Sequence, residues 1–178
     1  HSGRKLYILW VMNKIKPKFS LKDQLFNKEK VWYLSWLIRW VYPVFLSTGF
    51  EREVVSEFPK LELKERIHHI SSMLKKYLPD DFEEAVQVLL ESLPAEVIAD
   101  VEDNNFGDFI FCPYSEYIAE YGCNERDLRL SLNALAKMTI RFSAENAIRS
   151  FLNKFEAETF TKILEWSKSK NYHQRRLA

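Results

Sequence analysis

Glycine and proline are scarce in this chain of 178 residues, which contains 4 glycines and 6 prolines. Folds built from many short strands need frequent turns, and turns use these two residues heavily. Their scarcity therefore argues against an all-β fold. Long stretches without either residue favour helices, and a hydrophobic content of 47% with 15% aromatic residues is enough for a sizeable core. The composition predicts an all-α fold.

Cysteine is also rare, and the common catalytic motifs are missing. Cys112 and Cys123 form neither a C-x-x-C pair nor a disulfide framework, so a reducing, cytoplasmic compartment is expected. The sequence lacks a glycine-rich phosphate loop and a G-x-S-x-G motif, which leaves most standard enzyme classes without support. His68 and His69 are adjacent and would point in different directions on a helix, so no metal site is predicted.

The apolar segment near the start, residues 6–12, is far too short to span a bilayer, which takes about 20 apolar residues. No cleavage site of small residues follows it, so it does not match a signal peptide. A native chain begins with methionine. We therefore expect residues 1–11 to be vector-derived or untranslated upstream sequence, with Met12 as the native start. Residues 12–178 are expected to form a single helical-repeat domain.

The formal net charge of +1 conceals blocks of opposite sign. Residues 51–103 carry fourteen acidic residues against six basic ones, whereas residues 122–178 carry eleven basic residues against six acidic ones. Each block is compatible with a charged surface that is only exposed to water and binds no partner. The sharper interpretation is that the basic C-terminal third faces phosphate groups.

Hydrophobic spacing and end signals predict a succession of helices joined by short connections. Asn27, Asn124, Ser143 and Asn171 are predicted N-caps, and Gly122 is the predicted residue after a helix end. The predicted helices cover residues 20–26, 28–42, 48–58, 61–78, 82–94, 114–121, 124–140, 143 onward, 158–167 and 171 onward, with an irregular segment at 95–113 that has a turn signal at 103–107. Short connections make neighbouring helices pack together, which is typical of an α-α superhelix of HEAT-like repeats.

Trp32, Trp36 and Trp40 recur at every fourth position and share one face of the helix predicted at residues 28–42. Such a stripe more often belongs to the core than to a ligand surface, so we expect it to be buried. If it is exposed instead, it favours a scaffold that binds other proteins.

The segment at residues 141–149 combines groups that suit a DNA backbone. Glu145 falls in the first turn of a helix, whose N-terminus favours the ionised carboxylate. Arg141 precedes this helix, and Arg149 lies one turn beyond Glu145 on the same side. A carboxylate held between two guanidinium groups suits a site that binds a phosphodiester and meets a cationic group. The simpler interpretation is a first-turn acid with local ion pairs.

Several segments, in the same order and spacing, resemble the AlkC-type alkylpurine DNA glycosylases, relatives of the AlkD HEAT-like repeat proteins. The resemblance covers about residues 20–178. The matching segments are residues 21–27, 61–67 (LELKERI), 120–122, 141–145 (RFSAE), 147–149 (AIR), 164–166 and 173–178 (HQRRLA). The resemblance implies a superhelix that binds double-stranded DNA and excises N-alkylated bases such as 3-methyladenine. It also implies that no metal or organic cofactor takes part, and we favour a monomer without a membrane partner that associates with the nucleoid.

The resemblance also assigns roles to particular residues. Glu145 matches a glutamate of the family's lesion-contacting site, where it would stabilise the developing deoxyribose cation. Arg141, Arg149, Arg175 and Arg176 would contact phosphate groups. In the family, the segment that matches residues 173–178 continues to a second glutamate and a tryptophan that face the lesion. We therefore expect the domain to be incomplete at its C-terminus and this chain alone to have weak or no glycosylase activity. The alternative is a non-catalytic helical scaffold.

Overall fold

The computed structural model describes residues 20–94 and 108–178. The predictions for residues 1–11, for Met12 and for the turn at 103–107 lie outside these ranges. Within them the helices are α1 Leu21–Leu25, α2 Lys28–Val41, α3 Ser47–Glu57, α4 Leu63–Tyr77, α5 Phe82–Glu91, α6 Cys112–Gly122, α7 Leu128–Met138, α8 Glu145–Lys154, α9 Glu156–Ser167 and α10 Tyr172–Leu177. Short 3-10 turns at Phe58–Lys60 and Phe109–Phe111 precede α4 and α6. These two ranges contain no strand, and the predicted all-α fold is confirmed.

The helices form two packed layers. Helices α2, α5, α7 and α9 are neighbours in one layer, and α3, α4, α6 and α8 are neighbours in the other. Several helices that follow each other along the chain, such as α6 and α7 or α8 and α9, pack across the two layers, whereas α3 and α4 lie in the same layer. We call the second layer the α4/α6/α8 layer. In the described part of the chain, no helix is both long enough and apolar enough to cross a bilayer.

Two of the predicted N-caps are confirmed. The side-chain oxygen of Asn27 accepts a hydrogen bond from the backbone N–H of Lys30 at 3.0 Å, at the start of α2. The side-chain oxygen of Asn171 accepts from the N–H groups of His173 and Gln174, at 2.9 and 3.3 Å. Each cap satisfies N–H groups that have no partner within the helix.

The other two predicted N-caps are wrong, because each residue lies in the turn that precedes its helix. Asn124 accepts from the N–H of Asp127 at 3.0 Å, and α7 begins one residue later, at Leu128. Ala144 occupies the N-cap position of α8, and the Ser143 hydroxyl only accepts from the N–H of Glu145 at 3.5 Å. Asparagine and serine bond to backbone groups in turns as readily as at helix starts, so sequence alone does not separate the two settings.

The predicted burial of the tryptophan stripe is also wrong. The exposed fractions of Trp32, Trp36 and Trp40 are 56%, 48% and 77%. Phe160 and Leu164 of α9 are likewise exposed. Helix α2 has a second, smaller stripe at helical spacing, and that stripe enters the core: Val31, Leu34, Ser35 and Ile38. Both stripes have helical spacing, so periodicity alone does not decide which of them meets the opposing layer.

Gly122 ends α6 for a reason other than the predicted one. It is the last residue of the helix, and its backbone does not adopt the left-handed conformation expected of a residue after a helix end. A Cβ atom at this position would lie 2.2 Å from Ser131 Oγ and 2.3 Å from Phe82 Cζ. The Ser131 hydroxyl also donates to the Gly122 carbonyl at 2.9 Å. The absence of a side chain therefore allows α5, α6 and α7 to approach closely.

The substitution Gly122→Ala is expected to destabilise the protein by about 1–3 kcal/mol, because the added methyl group overpacks this junction. Urea unfolding followed by circular dichroism measures the change. Gly49→Ala is the control, since its Cβ would come closest to the hydroxyl end of the Tyr77 side chain, at 2.9 Å, and would meet ring atoms only at 3.3 Å or more. Equal stability of the two variants would contradict the role assigned to Gly122.

Candidate active site

Glu145 is the first residue of α8, and its carboxylate lies beside a cleft in the α4/α6/α8 layer. The helix N-terminus favours a negative charge at this position. The cleft has a volume of about 330 Å³, and its lining is mainly apolar and aromatic. The lining residues are Leu63, Lys64, Ile67, Phe109, Cys112, Phe142, Ser143, Glu145 and Asn146. The rings of Phe109 and Phe142 meet at 64° with centroids 4.8 Å apart. The site therefore combines one carboxylate with an aromatic wall.

Arg176 of α10 is the ion-pair partner of Glu145. Its Nε atom donates to Glu145 Oε1 at 3.1 Å, and the two side chains are 26% and 42% exposed. The structure thus pairs Glu145 with Arg176 instead of holding it between Arg141 and Arg149. The sequence offered no signal for this contact, because the two residues are 31 positions apart on different helices.

Arg141 faces backbone carbonyls. Its Nε donates to the carbonyl of Pro94 at 3.2 Å, and its Nη1 lies 3.4 Å from the carbonyl of Lys137. These contacts tie the turn before α8 to the end of α7 and to the segment after α5. Arg141 therefore has a structural task in addition to the predicted one of phosphate contact.

Arg149 lines a second cleft, of about 280 Å³, that adjoins the first. The two clefts share four residues: Lys64, Ile67, Cys112 and Asn146. Together they form one groove along the α4/α6/α8 layer. Arg149 and Lys64 are both exposed in this groove, and Arg149 makes no ion pair or hydrogen bond with other described residues. Two cations are thus available along the groove.

Arg175, the neighbour of Arg176, is directed elsewhere. Its Nη1 donates to the carbonyls of Ser169 and Lys170, both at 2.8 Å, and its guanidinium lies 6.0 Å from the ring centre of Tyr172. Arg175 therefore stabilises the turn that leads into α10. The two adjacent arginines make different contacts, which the sequence motif does not distinguish.

His68, Glu116 and Glu120 form a group that the sequence analysis missed. One potential ligand atom of each residue lies within 4.8 Å of the others, with His68 on α4 and both glutamates on α6. Burial and the negative charge of Glu120 raise the pKa of Glu116. Nitrogen and carboxylate donors suit a divalent transition metal. His68 is also ion-paired with Glu120, which accepts from the Ser71 hydroxyl at 2.6 Å, so both residues are satisfied without a cation.

The two cysteines are expected to differ in reactivity. Cys112 is 7% exposed, and burial raises the pKa of its thiol to about 12, so the reactive thiolate is scarce at neutral pH. Cys123 is more accessible, although burial raises its pKa as well.

In the native protein, a thiol reagent should label Cys112 at least about 10-fold more slowly than Cys123. Mass spectrometry of digested samples over time measures both rates, and unfolding in urea should make them equal. Labelling of Cys112 as fast as Cys123 would contradict the burial.

Comparison with known proteins places this geometry in context. No family model matches the chain. The chain is 28% identical over 156 residues to the uncharacterized protein YhaZ of Bacillus subtilis, with 87% of this chain and 40% of YhaZ covered. It also matches the structure of Pseudomonas fluorescens alkylpurine DNA glycosylase AlkC bound to DNA containing an abasic site analog. That match has a TM-score of 0.75 and 28% identity, and covers 89% of this chain and 41% of AlkC.

The chain thus spans about two fifths of the length of these two proteins. The resemblance to the AlkC-type alkylpurine DNA glycosylases that the sequence motifs predict is confirmed, and the chain has the helical fold of AlkC over most of its length.

Proposed function

We propose that this chain belongs to a DNA alkylation-repair protein, which binds duplex DNA along the α4/α6/α8 layer and hydrolyses the N-glycosidic bond of N-alkylated, cationic bases such as 3-methyladenine. The observation that carries this proposal is the cleft that combines the Glu145 carboxylate with the rings of Phe109 and Phe142. The fold around this cleft supports the proposal, since it is similar to that of a glycosylase bound to DNA.

The chemistry requires few groups. An alkylated purine already carries a positive charge, so it leaves the sugar with little help from an acid. The deoxyribose then develops positive charge, which a nearby fixed carboxylate stabilises, while a positioned water completes the hydrolysis. Glu145 is suited to the electrostatic part of this task. Phe109 and Phe142 provide aromatic surface against which a purine ring can pack.

The groove supplies cations for the DNA backbone. Lys64 and Arg149 lie along it, and the C-terminal third of the chain has an excess of basic residues. Contacts of lysine and arginine to phosphate groups give affinity and orientation without reading sequence. We therefore assign Arg149 to phosphate binding, and the predicted phosphate contacts of Arg141 and Arg175 would come in addition to the structural contacts that these residues make.

The substitution Arg149→Ala is expected to weaken binding to damaged and undamaged duplexes equally, and to reduce the slope of log affinity against log salt concentration by about 1. Fluorescence anisotropy with labelled duplexes at several salt concentrations measures both quantities. Ser150→Ala, at the next exposed position of α8, is the control. A loss of affinity confined to damaged duplexes would contradict a phosphate contact.

Two measurements test the proposed function itself. Release of 3-methyladenine from methylated duplex DNA by the full-length protein, followed by chromatography, tests the reaction. Binding of an undamaged duplex by this chain as a function of salt tests the interface. No release of base would reject the glycosylase, and a log–log slope near zero, or no binding at low salt, would reject the DNA interface.

The exposed tryptophans favour a second candidate function, a helical scaffold that binds other proteins. Trp36 and Trp40 lie with their ring centres 6.1 Å apart on an open face of α2, and exposed aromatic clusters are common in protein interfaces. A fold of this kind does not determine function. The salt dependence of duplex binding separates the two functions, because a protein-binding scaffold has no need of affinity for duplex DNA.

A further inference from the structure

We propose that His68, Glu116 and Glu120 form a binding site for a divalent transition-metal ion, with Zn²⁺ as the best match, where α4 meets α6. One potential ligand atom of each residue lies within 4.8 Å of the others. The inference goes beyond the proposed activity, because base release is assigned to none of these residues and the test requires no DNA.

The two helices place three ligands around one point. Glu116 and Glu120 are four positions apart on α6, so both carboxylates lie on the same side of that helix. On α4, His68 Nδ1 meets Glu120 Oε1 in an ion pair. Ligand atoms around a tetrahedral zinc ion are about 3.3 Å apart, because each bond to the ion is about 2.0–2.2 Å long. The three side chains therefore need to close by at most about 1.5 Å.

Glu116 is the residue that lacks a partner. Its carboxylate is half-buried and makes no hydrogen bond or ion pair with any residue of the two described ranges. Lys64 and Arg149 line the same cleft, yet neither of them forms an ion pair with it. The carboxylate of Glu120 lies beside it. A half-buried carboxylate next to a like charge is unfavourable, and a bound cation would offset this cost.

The donor set matches a transition metal better than calcium or magnesium. Two carboxylates and one neutral imidazole carry two negative charges, which balance a divalent ion. Calcium and magnesium prefer oxygen ligands alone, whereas zinc commonly binds imidazole together with carboxylate. The Ser71 hydroxyl donates to Glu120 Oε2 at 2.6 Å, which fixes the carboxylate and leaves Oε1 for the ion. Such outer hydrogen bonds commonly orient metal ligands.

The existing ion pair between His68 and Glu120 is a weak competitor. The side chain of His68 is 65% exposed, and exposed ion pairs contribute little in water. The site is also accessible, because His68 and Glu116 line an open cleft of about 580 Å³. An ion that enters through this cleft would connect α4 to α6. It would stabilise the folded chain, since the unfolded chain does not hold these ligands together.

The experiment titrates Zn²⁺ into this chain, without a polyhistidine tag, by isothermal calorimetry. One ion is expected to bind per chain. His68→Ala and Glu116→Gln should each weaken binding at least about 10-fold. Both variants are expected to fold, because the imidazole is exposed and the Glu116 carboxylate has no partner to lose. His69→Ala, which removes the adjacent histidine of α4, and Glu83→Gln, which neutralises an exposed acid of α5, are the controls and should leave binding unchanged.

Two further measurements separate this site from binding elsewhere. Zn²⁺ at 100 times its dissociation constant should raise the Tm of the wild type by about 5–10 °C, and the Tm of Glu116→Gln much less at the same concentration. Co²⁺ should bind without a sulfur-to-metal charge-transfer band, because neither Cys112 nor Cys123 is a ligand. Absence of Zn²⁺ binding, equal affinity in His68→Ala, or a cobalt–thiolate band would overturn the inference and leave the proposed function intact.

Discussion

A protein with glutamine in place of Glu145 is expected to release 3-methyladenine from methylated duplex DNA about 100- to 1,000-fold more slowly than the wild type. The two side chains have the same size, so the main change is the loss of a negative charge at the cleft. That charge faces the positive charge that develops on the deoxyribose, and a preorganised group of this kind contributes about 3–4 kcal/mol to the transition state. Single-turnover release, measured by chromatography with the full-length protein in excess, gives the rate.

Duplex binding provides the internal comparison for this variant. Loss of a carboxylate removes no attraction to phosphate, so the affinity for undamaged DNA should stay within about 3-fold of wild type. Glu158→Gln is the matched control, because Glu158 is also an exposed acid in the first turn of a helix, but on α9. An unchanged rate of base release in the Glu145→Gln variant would refute the catalytic role.

The second large effect concerns stability and comes from Arg66, which is 3% exposed. Its guanidinium donates to the carbonyls of Lys22, Phe26 and Phe58 at 3.0, 2.7 and 2.9 Å, and to Asp23 Oδ1 at 2.8 Å. These bonds connect α1 and the turn before α4 to α4 itself. Arg66→Ala removes one donor from each of three carbonyls, of which those of Lys22 and Phe58 keep a backbone N–H donor, and it removes one of the partners of the Asp23 carboxylate. We expect a loss of about 3–5 kcal/mol in the free energy of unfolding.

Urea unfolding at neutral pH measures this loss. Lys60→Ala, which removes an exposed pair with Glu57, is the control and should change stability by no more than about 1 kcal/mol. If the free energy of unfolding of Arg66→Ala also fell by no more than about 1 kcal/mol, the buried network would not be important for stability.

The same network carries a dependence on pH. A hydrogen bond from the Ser20 hydroxyl, followed by the contact with Arg66, holds the pKa of Asp23 below its ordinary value. A carboxyl group whose pKa is lowered by folding stabilises the native state above its unfolded pKa, and this contribution is lost as the pH falls through the folded pKa. Stability should therefore decline below about pH 4. The decline should be smaller in Arg66→Ala, which has already lost one of the two partners.

Local signals predicted the architecture well. Asn27 and Asn171 mark helix starts because the hydrogen bonds of a cap form within three residues of the cap itself. Short connections then oblige successive helices to pack, which is sufficient for an all-α fold in layers. The placement of Glu145 in the first turn of a helix was likewise predicted from sequence, whereas its role in the site stays a prediction.

The contacts between distant elements were not predictable in this way. The pairing of Glu145 with Arg176 depends on how α10 docks, and the group of His68 with two glutamates depends on how α4 meets α6. On α2, both the aromatic and the aliphatic stripe have helical spacing. Only the shape of the opposing layer determines which of them is buried.

The open face of α2 also affects how this protein can be observed in solution. Trp32, Trp36 and Trp40 are solvated in the native state, whereas Trp166 is buried. Most of the indole emission from the described residues therefore arises from rings already in contact with water, and unfolding alters the surroundings of a minority. Intrinsic fluorescence would under-report denaturation of this molecule, and the ellipticity of its helices is the more faithful signal.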